Sequence, residues 1–137
     1  MSIIAFNFTK ISAEKKQAKK ASKIEIQNNV AIKEIGEPGL NLASGDNVAV
    51  KVEFEFETKF EPEMGNIVIA GNLISLEKKD AGEKLLNGWK DGKKVDAELM
   101  KPIMNSILAK ANVQALIMSR DVNLPSPIQL PKVTIKK

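Results

Sequence analysis

The chain has 137 residues, a formal net charge of +4, and neither cysteine nor histidine. That length suits one domain built around a single core. The missing residue types exclude disulfides, zinc–thiolate sites, thiol nucleophiles and every Ser-His or Cys-His catalytic pair, and a reducing compartment, the cytoplasm, is the expectation. The positive balance is mild and spread along the chain, unlike the dense basic stripe of a nucleic-acid binder.

The N-terminal stretch MSIIAFNFTK has no basic start leading into a long apolar run, and the longest uncharged hydrophobic stretch, NIVIAGNLISL, is too short to cross a bilayer. Neither a signal peptide nor membrane insertion is expected. Ile3 to Ile11, with Phe6 and Phe8 two apart, predicts a short strand. In AEKKQAKKASK a helix would place Lys15, Lys19 and Lys23 on one face able to bind phosphate, but like charges at i,i+4 oppose that helix. Residues 12–22 therefore read as a lysine-rich, solvated connection.

KIEIQNNVAIKEI keeps Ile24, Ile26, Val30 and Ile32 in one phase, which predicts either one strand bulged at Gln27-Asn28-Asn29 or two short strands around a turn. The glycine-rich GEPGLNLASGDN reads as a loop. Asn47 to Phe60 is the clearest strand: Val48, Val50, Val52, Phe54, Phe56 and Phe60 alternate with Lys51, Glu53, Glu55, Glu57 and Lys59. EPEMGN turns the chain into a return strand of about ten residues, NIVIAGNLISLEKK, completing a hairpin. Both faces of that strand are largely apolar, so its second face is expected to be covered, by another subunit or a later segment of the chain.

From Asp80 the periodicity becomes helical. Asp80 is the expected cap of a short helix, AGEKLLNGWK, with Leu85, Leu86 and Trp89 on one side. After the DGKK turn, Leu99, Ile103, Ile107, Ala111 and Ala115 form the stripe of a principal helix flanked by Met100, Met104, Leu108 and Met118. Pro102 leaves two openings: a helix that starts near it, or an Asp96-capped turn followed by a kink. Residues 122–137, with prolines at 125, 127 and 131, form an extended tail. The chain is thus expected to be a single α+β domain over residues 1–137: a four-stranded antiparallel sheet with a long C-terminal helix on one face, a short preceding helix and an extended proline-containing tail.

Chemistry is mostly excluded. Tyrosine is absent as well, and the one ordered acidic constellation is Glu53, Glu55 and Glu57. Strand neighbours two apart stand roughly 6.5–7 Å from each other, close enough for adjacent carboxylates to flank a hard cation. Lys51 and Lys59 interrupt the ladder at both ends, so a solvated or partner-facing stripe is the better reading and no metal or other cofactor is assigned. The glycines of GEPG and ASGDN lack the spacing of a phosphate-cradling loop. The phenylalanines sit opposite the charged face, where core packing explains them better than base stacking. No catalytic residue is assigned, and the chain reads as a non-enzyme.

The order of these pieces, with DNVAVKVEFEFETKF, its partner NIVIAGNLISL, a helix opened by Pro102 and the tail VNLPSPIQLP, resembles the SecB-type export chaperones and their small archaeal-type relatives. That resemblance implies assembly into dimers or tetramers through strand edges and helices, and ATP-independent holding of unfolded polypeptide in apolar grooves. It assigns Leu124, Ile128 and Leu130 to the border of the client groove. It also makes Glu53, Glu55 and Glu57 the counterpart of the outward acidic surface that docks an export motor in that family, although this chain is basic where those chaperones are acidic. The alternative from a different class is a non-enzymatic scaffold or nucleic-acid-associated protein using the lysine-rich segment; a nucleic-acid partner is disfavoured.

Overall fold

Alternation with a period of two dominates the first half of the chain, and it produces four long strands. The computed structural model describes residues 2–16, 24–39 and 45–127. In chain order they form β1 (Ser2–Lys15), β2 (Glu25–Gly36), β3 (Asn47–Glu61), β4 (Gly65–Lys78), α1 (Lys79–Lys90) and α2 (Ala97–Asp121). The strands make one antiparallel sheet in the order β1-β4-β3-β2, so β1 and β2 are its edges.

Val50, Val52, Phe54, Phe56, Thr58 and Phe60 of β3 point to one face and are buried, joined from β4 by Ile67, Ile69, Leu73 and Ser75. Both helices lie on this face. Around α1 and the first half of α2, Leu85, Leu86, Met100, Ile103 and Ile107 close over Val50, Val52, Phe54 and Leu73. Farther along α2 the helix contributes only small buried residues, Ala111 and Ala115, against Phe56, Phe60, Ile67 and Ile69. Phe54 also meets the Phe6 ring of β1, with centroids 5.3 Å apart, and Phe8 packs edge-on to Phe6.

Gly71, inside the apolar run of β4, makes this packing possible. A Cβ there would run into the backbone carbonyl of Asn7 and stand 2.9 Å from the Phe54 ring. Gly71 pairs with Phe8 next to a bulge in β1, where the register shifts between Phe8 and Lys10. A second shift in β1 falls between Ile3 and Ala5. Glycine in mid-strand marks such a close backbone approach.

Several boundaries differ from the sequence reading. β1 continues past Ile11, and Ser12 to Lys15, expected to open the lysine-rich connection, are laddered against Gly65 to Val68. The cause is the length of β4, which runs 14 residues where about ten were expected and so offers backbone partners that far. Residues 17–22 of that connection lie outside the described residues. β2 is one strand with neither a turn nor a bulge at the asparagines; its register shift falls between Ile32 and Glu34. Asn28, itself exposed, lies on the helix side of the sheet and is held by hydrogen bonds: Thr58 Oγ1 donates to Asn28 Oδ1 at 2.6 Å, and Asn28 Nδ2 donates to the Pro127 carbonyl at 2.8 Å.

The cap of α1 is Lys78, not Asp80, and it makes no side-chain cap bond; Asp80 sits in the first turn, where its charge favours the helix dipole. α2 is not opened by Pro102 but begins at Ala97, about one turn earlier. Asp96 caps it, accepting from the Glu98 N–H at 2.9 Å, and Pro102 is carried inside the helix on its exposed side. Lys84 Nζ lies 3.0 Å from Asp96 Oδ2. The Lys84 hydrogen bond first, and the Glu98 N–H second, hold the Asp96 carboxyl below its ordinary value of 3.8. A carboxyl depressed in the folded state adds stability above its unfolded value, and that contribution is lost as pH falls through the folded value. Lys84→Ala should therefore raise the Asp96 midpoint in an NMR titration; an unmoved midpoint would show that the ion pair does not set it.

Candidate polypeptide-binding surface

The end of α2 is built by backbone chemistry. Asn123 adopts a left-handed conformation, φ 57°, the Asn123 N–H donates to the Arg120 carbonyl, and the Leu124 N–H donates to the Ser119 carbonyl at 2.8 Å. This pair of bonds is a Schellman stop, with asparagine at the left-handed position and an apolar residue next. The signal was present in VNLP. Leu124 is thereby turned into the core, 7 % exposed, beside Phe56 and Phe60. The chain then reaches Pro127, which Asn28 ties to the sheet.

Between helix and tail lies a hollow of about 390 Å³ lined by Leu116, Ile117, Ser119, Arg120, Leu124 and Ser126. Ser119 Oγ donates to the Leu116 carbonyl at 2.8 Å, so its hydroxyl proton is engaged within the helix. The lining offers apolar side chains with one guanidinium, suited to hold an apolar side chain of a peptide rather than to perform chemistry. Val113, 60 % exposed, and Ile117, 39 % exposed, extend the apolar surface along α2. Of the three residues assigned to the client groove, Leu124 borders this hollow through its edge, while Ile128 and Leu130 lie outside the described residues. Leu116 and Ile117 were not singled out in the sequence; they fall outside the stripe that packs on the sheet.

Glu53, Glu55 and Glu57 are on the opposite face of the sheet, away from both helices. Lys51 stands 3.9 Å from Glu53 and Lys59 3.7 Å from Glu57, all partly exposed and screened by water, so these pairs add little stability. Glu55 lies between Ala31 of β2 and Ala70 of β4. Beside this ladder Val68, Ala70, Ile74 and Leu76 of β4 are partly exposed. Both α1 and α2 pack on the other face, so among the described residues no helix covers this one. The hollow and the acidic ladder are therefore separate surfaces.

Among the described residues no group of three or more acidic side chains is placed to hold a metal ion. No described helix is long and apolar enough to cross a membrane.

Comparison with known proteins returned no matching family model and no matching curated protein. Among solved structures the chain is similar to the Mycobacterium tuberculosis Rv1957 SecB-like chaperone, determined in complex with a ChAD peptide from the Rv1956 HigA1 antitoxin. The match has a TM-score of 0.54 at 10 % identity over 99 % of this chain and 92 % of that one. The fold is SecB-like. At that identity the likeness concerns architecture: the SecB-like sheet with its long C-terminal helix is shared, and the side chains on its surfaces are this chain's own.

Proposed function

We propose that the protein binds non-native polypeptide without ATP, as a SecB-like holdase acting as a homo-oligomer. The observation that carries this reading is the apolar hollow of Leu116, Ile117 and Leu124, continuous with exposed Val113, on a fold whose solved neighbour was captured holding an antitoxin peptide. Extended segments with aliphatic or aromatic side chains are the clients that fit it. Leu124, Ile128 and Leu130 would border the client groove, and Glu53, Glu55 and Glu57 would form a second, partner-docking surface on the far side of the sheet. The cytoplasm is the proposed location.

The test is fluorescence anisotropy of a labelled, permanently unfolded polypeptide titrated with the protein at about 50 mM and about 500 mM salt. Saturable binding at both salts is expected, and Ile117→Asp should weaken it by about tenfold or more by placing a charge in the hollow. Binding confined to low salt would instead favour the lysines and a polyanionic partner, and no binding would end the holdase reading.

A further inference from the structure

We infer that Asn28 is the positioning residue for polypeptide capture: its side-chain amide, aimed by the Thr58 hydroxyl, clamps the tail at Pro127 and so holds Leu124 and Ser126 in place as one wall of the hollow. This role rests on the holdase reading and deepens it, by naming what keeps the binding surface assembled. Among the core-facing positions of β3 from Val50 to Phe60, Thr58 alone carries a hydroxyl, and it is fully buried between Phe56 and Phe60 in that series. A buried hydroxyl costs free energy unless its proton is engaged. Directly across in β2 stands Asn28, whose Oδ1 accepts that proton at 2.6 Å. A cross-strand pair of this kind is common in sheets and by itself needs no further explanation. The second bond is what an ordinary pair does not supply: Asn28 Nδ2 donates at 2.8 Å to the Pro127 carbonyl, 99 residues along the chain.

The tail needs such a tie because it cannot build a ladder of its own. Pro125 and Pro127 have no N–H, so the span from Leu124 to Pro127 cannot continue a helix or join a strand, and its carbonyls must be met from outside. One end of this span is fixed by the helix stop, where the Leu124 N–H donates to the Ser119 carbonyl at 2.8 Å. The other end is fixed by Asn28. Pinned at both ends, Leu124 and Ser126 line the hollow together with Leu116, Ile117 and Arg120 of α2. Released at Pro127, the span would be held by the helix stop alone and the hollow would lose its fixed wall.

Thr58 decides which end of the amide meets the tail. An amide has an accepting end and a donating end, and with the Thr58 proton on Oδ1 the donating Nδ2 is left for Pro127. Reversed, Oδ1 would confront the Pro127 carbonyl, acceptor against acceptor. Asn28 is itself exposed, so the clamp holds the tail without adding apolar surface to the core. Its loss should free the tail and spare the fold.

Asn28→Asp keeps the acceptor for Thr58 and turns the donor into a second acceptor, so the tie to Pro127 becomes a repulsion. Measured with the labelled unfolded polypeptide, this variant should bind about tenfold more weakly than wild type. Thr58→Val removes the aiming hydroxyl with little change of shape and should cost about threefold, while Thr58→Ser, which keeps the hydroxyl, should bind like wild type. Amide exchange separates a clamp from a general support of the fold: in Asn28→Asp the Leu124 amide should exchange about tenfold faster, with the β3 amides and the urea midpoint as in wild type. An unchanged Leu124 amide, or exchange that quickens equally throughout β2 and β3, would overturn the clamp. Binding by Asn28→Asp within about twofold of wild type, with the Leu124 amide loosened, would overturn its part in capture, and tighter binding would show the tail to be a lid instead of a wall. The holdase reading survives each of these results. A wild type that captures nothing would end that reading, and the role of Asn28 in capture with it.

Discussion

Phe56→Ala should lower the unfolding free energy by about 3–5 kcal/mol, the cost of deleting a fully buried aromatic ring and leaving a cavity. Phe56 is completely buried on the helix side of β3, between Val30 of β2 and Ile69 of β4 in the sheet, and under Ala111 and Ala115 of α2. The fully buried α2 residues above it are alanines, while Leu108 and Met118 pack only partly buried at the cluster's margin. The readout is urea unfolding followed at the lone tryptophan, Trp89, which packs in the other core cluster and donates to Glu34 at 3.1 Å. Monitoring circular dichroism in parallel shows whether the two clusters unfold together: coincident curves shifted to lower urea are expected. A change below about 1 kcal/mol would mean that Phe56 does not hold the second cluster together. Glu55→Ala, one position along and on the charged face, should stay within about 0.5 kcal/mol of wild type.

Gly71→Ala is the second large effect, and it adds an atom instead of removing several. The new methyl group would press on the Asn7 carbonyl and on the Phe54 ring, so β1 must move away or Phe54 must leave its place. Overpacking of this kind costs about 1–3 kcal/mol, and more where the neighbour is backbone that cannot rotate aside. The loss should be unequal: amide exchange in β1 should quicken before exchange in β3, because β1 is an edge strand whose only strand partner is β4. Unchanged protection of the β1 amides would show that the Asn7 backbone yields without cost.

Both effects bear on what the sequence makes legible. The alternation of β3 can be read directly, since charge and hydrophobicity switch at each residue from Lys51 to Glu57 and only one assignment of faces keeps the glutamates in water. The α2 stripe is equally plain, although the buried series drifts from Met100 to Ser119 as the helix crosses the sheet. Gly71 was not legible, because a glycine in an apolar strand signals a close approach without naming what approaches. Asn28 was hidden for a similar reason. Polar residues in a strand suggest a turn until partners are known, and its partners are 30 residues ahead in Thr58 and 99 ahead in Pro127. The binding surface was harder still. Leu116 and Ile117 look like ordinary helix residues, and only the position of the tail makes a hollow of them.

The contrast between the two halves of α2 has a mechanical consequence. Met100, Ile103 and Ile107 meet the valines and Phe54, while Ala111 and Ala115 meet Phe56 and Phe60. Sliding the helix one turn along the sheet, about 5.4 Å, would drive Ile107 into the space that Ala111 holds above Phe56 and empty the ground beneath the first turn of the helix. The side-chain sizes thus act as a ratchet with a single tooth engaged. A ligand pulling on the outer face of α2 can tilt the helix or lift it from the sheet, but it cannot shift it axially to a second resting position.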